Sequence, residues 1–180
     1  MRIGCALAAL LNVYPAVTSA QGLRLPELTS LRPTESLAAA NLSAEEKKQI
    51  FDALEAVTFD TPDSWETELL GRRVSIGTAK DGLVLQGSRL LCGGTGNCQL
   101  VVMRRTGGRW RTLFDRQAPL GDGFALLDGR SNGVRNLLVA DHASAEQSHY
   151  VLYRFDGQYY RSSECYEKRA SRLTVVTCTS

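Results

Sequence analysis

The segment from Asp128 to Arg161 reads DGRSNGVRNLLVADHASAEQSHYVLYRFDGQYYR and has the strongest β pattern in the chain. Polar and apolar residues alternate from His149 to Phe155, which is the two-residue period of a strand with one buried face. The pair Asp156-Gly157 follows directly and is typical of a two-residue hairpin loop, which requires positive φ angles. A second run begins at Gln158. The segment therefore predicts a β-hairpin within an antiparallel sheet.

The predicted loop also determines which side chains share a face of the hairpin. With a two-residue loop, Phe155 lies opposite Gln158 and the other pairs follow in order. The face on the core then contains Val151, Tyr153, Phe155 and Tyr160. Tyr150 and Tyr159 lie on the other face beside Arg154, a composition typical of binding hot spots. Covering a second core layer is the alternative role for these two tyrosines.

One segment near the start has the pattern of a longer helix. Ser43 and Glu46 form a capping box, in which each side chain bonds the backbone N–H of the other residue. The predicted helix runs from Ala44 to Val57. Its apolar residues recur at helical spacing, and we expect this stripe to dock on the sheet. The stripe consists of Ile50, Phe51, Leu54 and Val57.

Ten short strand candidates follow the helix, with Gly, Asn or Asp at nearly every break. No helices alternate with them, which disfavours a doubly wound parallel fold. We predict an α+β, mainly β domain in which the N-terminal helix packs on a curled antiparallel sheet or a small barrel-like meander. The candidates are residues 73–76, 83–86, 89–92, 99–105, 109–114, 124–127, 136–140, 149–155, 158–163 and 173–178.

The length of 180 residues suits a single domain with a hydrophobic core. Residues 1–20 have an early Arg, a short apolar run and small residues at the end, which is the pattern of a signal peptide. Residues 21–42 form an N-terminal segment without periodicity, expected on the surface, and residues 43–180 form the single β-rich domain. We expect a periplasmic or extracellular location and no membrane span after removal of the signal peptide.

Four cysteines follow the predicted signal peptide, and an even number in an oxidising compartment is typical of disulfide bonds. Three pairings are possible. We favour Cys92 with Cys98 and Cys165 with Cys178, because each bond closes a short loop. A zinc site formed by all four thiolates is the alternative, but both spacings are wider than the common CxxC motif. We expect no metal.

Charge is divided unevenly along the chain. Residues 43–68 carry eight acidic and two basic side chains, and residues 72–116 carry nine basic and two acidic ones. Mutual neutralisation of helix and sheet is one explanation. The other is an arginine-bearing face for an acidic partner, because Arg contacts carboxylates and phosphates bidentately. Nucleic acid is not expected at a net charge of +2. The candidate binding residues are Arg104, Arg105, Arg109, Arg111, Tyr150, Arg154 and Tyr159.

Residues 128–139, DGRSNGVRNLLV, place Asp128, Asn132 and Gly133 at the spacing D-x-[DN]-x-[DN]-G. This resembles the calcium-binding hairpin loop of FG-GAP and VCBS-type repeats, in which an apolar strand follows the loop. Arg130 puts a cation where an oxygen ligand belongs, and Asn136 replaces the closing carboxylate. We therefore expect the loop to hold its turn without an ion. The NG-x-x-NLLV and YRFDG-x-Y elements are similar to bacterial exported proteins of unknown function.

Residues suited to catalysis are concentrated in one loop. A hydrolase would combine a carboxylate, a histidine and a nucleophilic serine. No G-x-S-x-G motif surrounds either serine of the loop, and we expect His149 to lie opposite Glu164 as an ordinary paired side chain. The loop contains the carboxylates Asp141 and Glu146, the histidines His142 and His149, and the serines Ser144 and Ser148.

The sequence thus predicts an exported, non-catalytic domain that needs no cofactor and binds a protein or another envelope macromolecule, in the manner of an inhibitor or an immunity-type protein. Two alternatives stay open. One is a small hydrolase that uses the Asp141–His149 loop, and the other is a structural accessory of an envelope complex.

Overall fold

A computed structural model of the protein describes residues 25–31, 35–55, 69–77, 80–87 and 92–178, and the predicted signal peptide lies outside these ranges. The described elements are a 3₁₀ turn (Leu37–Ala40), one helix and ten strands, which confirms the predicted α+β, mainly β class. They are α1 (Ala44–Leu54), β1 (Leu69–Val74), β2 (Gly82–Gly87), β3 (Cys98–Thr106), β4 (Arg109–Thr112), β5 (Leu120–Gly121), β6 (Gly123–Ser131), β7 (Val134–His142), β8 (Gln147–Phe155), β9 (Tyr160–Arg169) and β10 (Arg172–Val176).

The helix begins at the predicted capping box. The Glu46 N–H donates to Ser43 Oγ at 3.1 Å, and the Ser43 N–H donates to Glu46 Oε2 at 3.0 Å. These bonds satisfy two of the N–H groups that every helix start leaves open. Ile50 and Leu54 are fully buried against the first sheet, as the apolar stripe predicts. The predicted end of the helix, Val57, lies outside the described residues.

The strands form two open antiparallel sheets rather than one closed barrel. The first has the order β1-β2-β3-β4, with β5 paired to the start of β3. The second has the order β10-β9-β8-β7-β6, so every neighbour in space is also a neighbour in sequence. Tight turns connect consecutive strands in both sheets. Gly107 and Gly108 join β3 to β4, and Asn132 and Gly133 join β6 to β7, all with positive φ.

Three apolar clusters separate the layers. The inner cluster lies between the two sheets and includes Val84, Val102, Leu113, Leu137, Val139, Phe155 and Tyr160. A second cluster joins α1 to the outer face of the first sheet through Ile50, Leu54, Leu83, Met103 and Trp110. A third lies on the outer face of the second sheet and includes Leu138, Tyr150, Leu152 and Tyr166, with Leu25 and Leu28 packed against it. The two sheets are therefore covered on both outer faces.

The described parts of the N-terminal segment, residues 25–31 and 35–42, contribute to this packing although we expected the segment on the surface; in the second part, Leu37 and Ala40 are buried in the cluster beneath α1. Thr29 and Phe124 exchange backbone hydrogen bonds of 2.8 and 3.1 Å. The Leu31 N–H donates to Gln86 Oε1 at 3.0 Å, and the Leu31 side chain is 5% exposed in the inner cluster. The segment therefore adds to the edge of the second sheet and to the core.

The predicted two-residue loop between β8 and β9 is wrong. Phe155 pairs with Tyr160, which leaves a loop of four residues, 156–159. The Asp156 side chain explains the difference, because its Oδ1 accepts the N–H groups of Gln158 and Tyr159 at 2.7 Å. A shift of two residues preserves the faces of a strand, so Phe155 and Tyr160 still lie in the inner core.

Both favoured disulfide bonds are confirmed. Cys92 bonds Cys98 across the glycine-rich loop, and Cys165 in β9 bonds Cys178 just beyond β10. The first bond fixes the loop that precedes β3. The second holds the last strand on the edge of the second sheet.

Most predicted strands are present with shifted ends. The first runs from Leu69 to Val74 rather than over 73–76, and β5 was not predicted because two residues carry no period. Residues 89–91 of the third candidate lie outside the described residues, and Cys92 forms an isolated bridge with Cys98. The strand β9 extends to Arg169, beyond the predicted end; the added residues include the buried Cys165 and Tyr166, and the last two, Lys168 and Arg169, are exposed.

Candidate functional site

Three of the seven candidate binding residues meet at one groove. Arg104, Arg111 and Tyr159 line a groove of about 760 Å³ between the β3–β4 and β8–β9 hairpins. The buried side chains of Leu113 and Phe155, 5% and 8% exposed, form apolar parts of its lining. Further polar lining comes from Thr106, Thr112, Asn132 and Gln158. We call this site the arginine groove.

The register of the first sheet places the two arginines side by side. Arg104 on β3 is the direct cross-strand partner of Arg111 on β4. Alternation turns both toward the second sheet, because the residues two positions away, Val102 on β3 and Leu113 just beyond β4, belong to the inner cluster. Directly opposed side chains of this kind have Cβ atoms about 5 Å apart, and like charges there are destabilising.

Only one of these two charges is balanced within the described residues. Arg104 Nε donates to Asp81 Oδ2 at 2.9 Å. The Asp81 side chain is 10% exposed, and its Oδ1 also accepts the N–H groups of Ile76 and Gly77 at 3.0 Å. For the exposed Arg111 side chain, no hydrogen bond or ion pair is found in the part of the chain that the structure describes.

Three other cross-strand arginine pairs provide a comparison. Arg154 and Arg161 are partners on β8 and β9. Arg154 bonds Glu164, and Arg161 bonds two carboxylates, those of Asp115 and Asp156. In each case the protein supplies its own counter-charge.

The third pair, Arg130 with Arg135, lies on the β6–β7 hairpin. Arg130 Nη1 donates to three carbonyl oxygens, including that of Gly133 at 3.0 Å. Arg135 donates to two more carbonyl oxygens and to Asp128 Oδ1 at 3.3 Å. In a fourth pair, Arg169 with Arg172 on β9 and β10, Arg169 bonds Glu167, and no partner of Arg172 is found among the described residues. Arg111 and Arg172 are thus the two members without such a partner in the described part of the chain, and of these two only Arg111 lines the arginine groove.

The loop that borders the groove is held rigidly. The Arg161 guanidinium lies 5.4 Å from the centroid of the Tyr159 ring and bonds Asp115 and Asp156. Hydrogen bonds from the N–H of Tyr159, the N–H of Gln158 and Arg161 lower the pKa of Asp156 from 3.8 to about 2. Tyr159 is therefore positioned at the groove before any ligand arrives.

The other candidate binding residues lie elsewhere. Tyr150 is 8% exposed in the outer cluster of the second sheet, so it takes the alternative role of covering a second core layer. Arg154 is exposed beside Glu164 on the second sheet. Arg105 and Arg109 are exposed at the tip of the β3–β4 hairpin, and neither lines the groove.

Neutralisation between helix and sheet accounts for part of the basic charge. Glu46 on α1 accepts Nη2 of Arg73 and Nε1 of Trp110, each at 3.2 Å, and lies 3.5 Å from Arg105 Nη1. The hydrogen bond from the Ser43 backbone is the largest cause that lowers the pKa of Glu46 from 4.5 to about 2, and the bonds from Trp110 and Arg73 add to it. The charge of Arg111 is not neutralised in this way.

A second cluster of polar side chains lies at the far end of β7 and β8. His142 Nε2 is 2.6 Å from Asp122 Oδ2, and His142 Nδ1 is 3.3 Å from Ser148 Oγ. Asn97 holds the His142 backbone, because its Nδ2 donates to the His142 carbonyl and its Oδ1 accepts the His142 N–H, both at 2.9 Å. The carboxylate is not Asp141 or Glu146 of the predicted loop but Asp122, which precedes β6.

The second histidine also has a different partner from the one expected. His149 lies opposite Glu167, not Glu164, because the four-residue loop and a bulge after Leu152 shift the pairing. Its Nδ1 is 3.2 Å from Asp141 Oδ1, and its Nε2 is 3.7 Å from Glu167 Oε2. His149 is therefore a paired polar side chain, as predicted, within a different register.

Sequence reasoning missed the residues that become neighbours only through the fold. Asn132 and Gln158 contribute amides to the arginine groove, and Asp122 contributes the carboxylate beside His142. Asp122 lies in the break before the predicted strand at 124–127, and the sequence around it does not indicate which element it would face.

No family model, curated protein or solved structure matches this chain. Within the described residues, no helix is both long and apolar enough to span a bilayer, and no group of three or more His, Cys, Asp or Glu side chains could hold a metal ion.

Proposed function

We propose that the protein is an exported binding domain whose arginine groove holds a carboxylate-bearing segment of a macromolecular partner. The observation that carries this proposal is the Arg104–Arg111 pair. Two guanidinium groups oppose each other, and only Arg104 has a carboxylate beside it among the described residues. A carboxylate of a partner would relieve the repulsion and form a charge-assisted, bidentate contact with Arg111.

The lining of the groove supports a polypeptide partner. Leu113 and Phe155 offer apolar surface, and Tyr159 offers an aromatic ring. Gln158 offers an amide that can bond a peptide backbone, and Asn132, whose Nδ2 donates to the Phe155 carbonyl at 2.8 Å, offers its amide oxygen. An apolar anchor inserted between such groups, with a charge at the rim, is the usual arrangement of an interface hot spot. We therefore infer that the partner presents an acidic residue next to an apolar side chain.

The groove supports binding rather than reaction. Its lining contains no histidine, cysteine or carboxylate among the described residues. Histidine and carboxylate groups are the most common general acids and bases, and a threonine or tyrosine nucleophile such as those in the lining needs an adjacent base to activate it. An inhibitor or immunity-type protein is consistent with this chemistry, and the two disulfide bonds are compatible with an exported location.

The test begins with affinity capture from an envelope extract of the source organism, using protein from residue 21 onward, and with measurement of Kd for the retained partner. Arg111→Gln is expected to raise Kd by roughly thirtyfold, because a lost guanidinium–carboxylate contact in such a groove costs about 2 kcal/mol. Arg154→Gln is the matched control, since Arg154 belongs to a cross-strand arginine pair but already bonds Glu164. The Kd of the Arg154→Gln protein is expected within twofold of the wild-type value.

The same measurement distinguishes the remaining interpretation. A structural accessory would bind through α1, whose exposed face carries Lys48. Loss of the partner on Lys48→Glu, with Kd unchanged by Arg111→Gln, would replace the proposed function by the accessory role. Equal losses for Arg111→Gln and Arg154→Gln would show that general charge, not the groove, determines binding.

A further inference from the structure

The cluster around His142 lies far from the arginine groove. Ser148 is the second residue of β8, and Phe155, which lines the groove, is its last. The seven intervening steps correspond to about 23 Å at 3.3 Å per residue. Any activity of this cluster is therefore separate from binding in the groove.

The hydrogen-bond partners of His142 determine which tautomer its neutral ring adopts. Asp122 Oδ2 lies 2.6 Å from Nε2 and can accept only from an N–H. In the neutral ring the lone pair is then on Nδ1, which faces Ser148 Oγ at 3.3 Å. A carboxylate, an imidazole and a serine hydroxyl are thus connected in the order that activates a nucleophile.

Each member of the cluster is held by its backbone. His142 and Ser148 are direct cross-strand partners on β7 and β8. Two bonds of 2.9 Å from Asn97 fix the His142 backbone. The Asp122 N–H donates to the Ala140 carbonyl at 3.0 Å, and the Asp122 carbonyl accepts the hydroxyl of Ser30 in the N-terminal segment. The arrangement is therefore set by the fold and does not depend on a mobile loop.

A cleft of about 440 Å³ opens beside His142. Its other lining residues are small and uncharged, namely Thr95, Ala143, Ser144 and Ala145. The His142 side chain is 51% exposed and Asp122 is 30% exposed, so a small molecule in the cleft can reach the ring. The lining suits a short acyl group without charge.

We propose that Ser148, His142 and Asp122 form an acyl-transfer site that hydrolyses short, uncharged acyl esters. Ser148 and His142 are the catalytic residues, and Asp122 and Asn97 are positioning residues. The proposal goes beyond partner binding and is independent of the groove.

The reaction requires no further reagent than water. Ser148 Oγ attacks the ester carbonyl carbon while His142 Nδ1 takes the hydroxyl proton. The carbon–oxygen bond of the ester then breaks, and His142 gives this proton to the leaving alkoxide, which departs as an alcohol. Water attacks the acyl group on Ser148, His142 accepts its proton, and the carboxylic acid leaves as the Ser148 hydroxyl is restored.

The test is labelling of the disulfide-bonded protein by an alkyl fluorophosphonate, in which a serine oxygen displaces fluoride from phosphorus. We expect stoichiometric labelling at Ser148, located by peptide mass, and hydrolysis of p-nitrophenyl acetate by the unlabelled protein. Ser148→Ala is expected to abolish both. Ser162→Ala is the matched control, since Ser162 is an exposed serine on β9 that does not line the cleft, and it should label at the wild-type rate.

The positioning role of Asp122 has its own readout. Asp122→Asn is expected to lower the maximal labelling rate about a hundredfold. The probe concentration at half-maximal rate should stay unchanged, which a purely structural defect would not produce. Absence of labelling and of ester hydrolysis in wild-type protein with both disulfides intact would overturn the proposal. So would labelling that persists in Ser148→Ala.

Discussion

Replacing Asn97 by alanine tests how the glycine-rich disulfide loop holds the second sheet. The Asn97 side chain is 9% exposed and makes two bonds of 2.9 Å with the His142 backbone. Each such bond contributes about 1 kcal/mol net, so we expect Asn97→Ala to lower the free energy of unfolding by about 2 kcal/mol. For a domain of this size the melting temperature should then fall by roughly 4–8 °C.

Urea denaturation followed by circular dichroism measures this change, with the disulfides intact and the m-value unchanged. Thr95→Ala is the control, because Thr95 accepts a bond from Asn97 Nδ2 at 3.0 Å, whereas no hydrogen bond between Thr95 and His142 is found in the described residues. It should cost less than about 1 kcal/mol. If the free energy of unfolding of Asn97→Ala lies within about 0.5 kcal/mol of the wild-type value, the bonds from Asn97 to the His142 backbone do not hold the two sheets together.

Three further perturbations test the packing. Tyr160→Phe removes the bond from the buried Tyr160 hydroxyl to the Arg135 carbonyl at 2.6 Å and should cost about 1–2 kcal/mol in urea unfolding, whereas no change would mean that water replaces the bond. Gly157→Ala, at φ +115°, should cost at least about 1 kcal/mol by the same assay, and a neutral result would contradict the loop geometry. The lowered pKa of Glu46 stabilises the folded state above pH 4.5, and this contribution should be lost as pH falls toward 2. Glu46→Gln should flatten that part of the pH–stability curve, and an unchanged curve would show that other carboxylates produce it.

The local parts of the fold could be predicted because their causes are local. The capping box at Ser43 and Glu46, the positive-φ glycines of the β3–β4 turn and the short disulfide loops all depend on residues close in sequence. The loop at Asp156 was mispredicted because the same Asp-Gly pair fits a two-residue turn and a capped four-residue turn. The Asp156 side chain favours the second by accepting two backbone N–H groups.

The candidate site could be predicted only in part for the same reason. The sequence indicated the residue types, since Arg104, Arg111 and Tyr159 were all candidates, but the register decides which of the arginines oppose each other. Arg154 had the same composition around it, yet the fold places Glu164 beside it. Asp122 approaches His142 from a separate strand connection, which no spacing within the predicted loop could indicate.

Site-specific photocrosslinking shows which part of the surface the partner contacts, and so tests partner binding at the arginine groove. A benzophenone amino acid is placed at Gln158, which is exposed at the groove, and in a second protein at Lys168, which is exposed on β9 at the opposite end of the second sheet. We expect the captured partner to crosslink at position 158 and not at position 168. The crosslink at position 158 should be lost in the Arg111→Gln protein. A crosslink at position 168 alone, or one at 158 that persists with Arg111→Gln, would contradict partner binding at the groove.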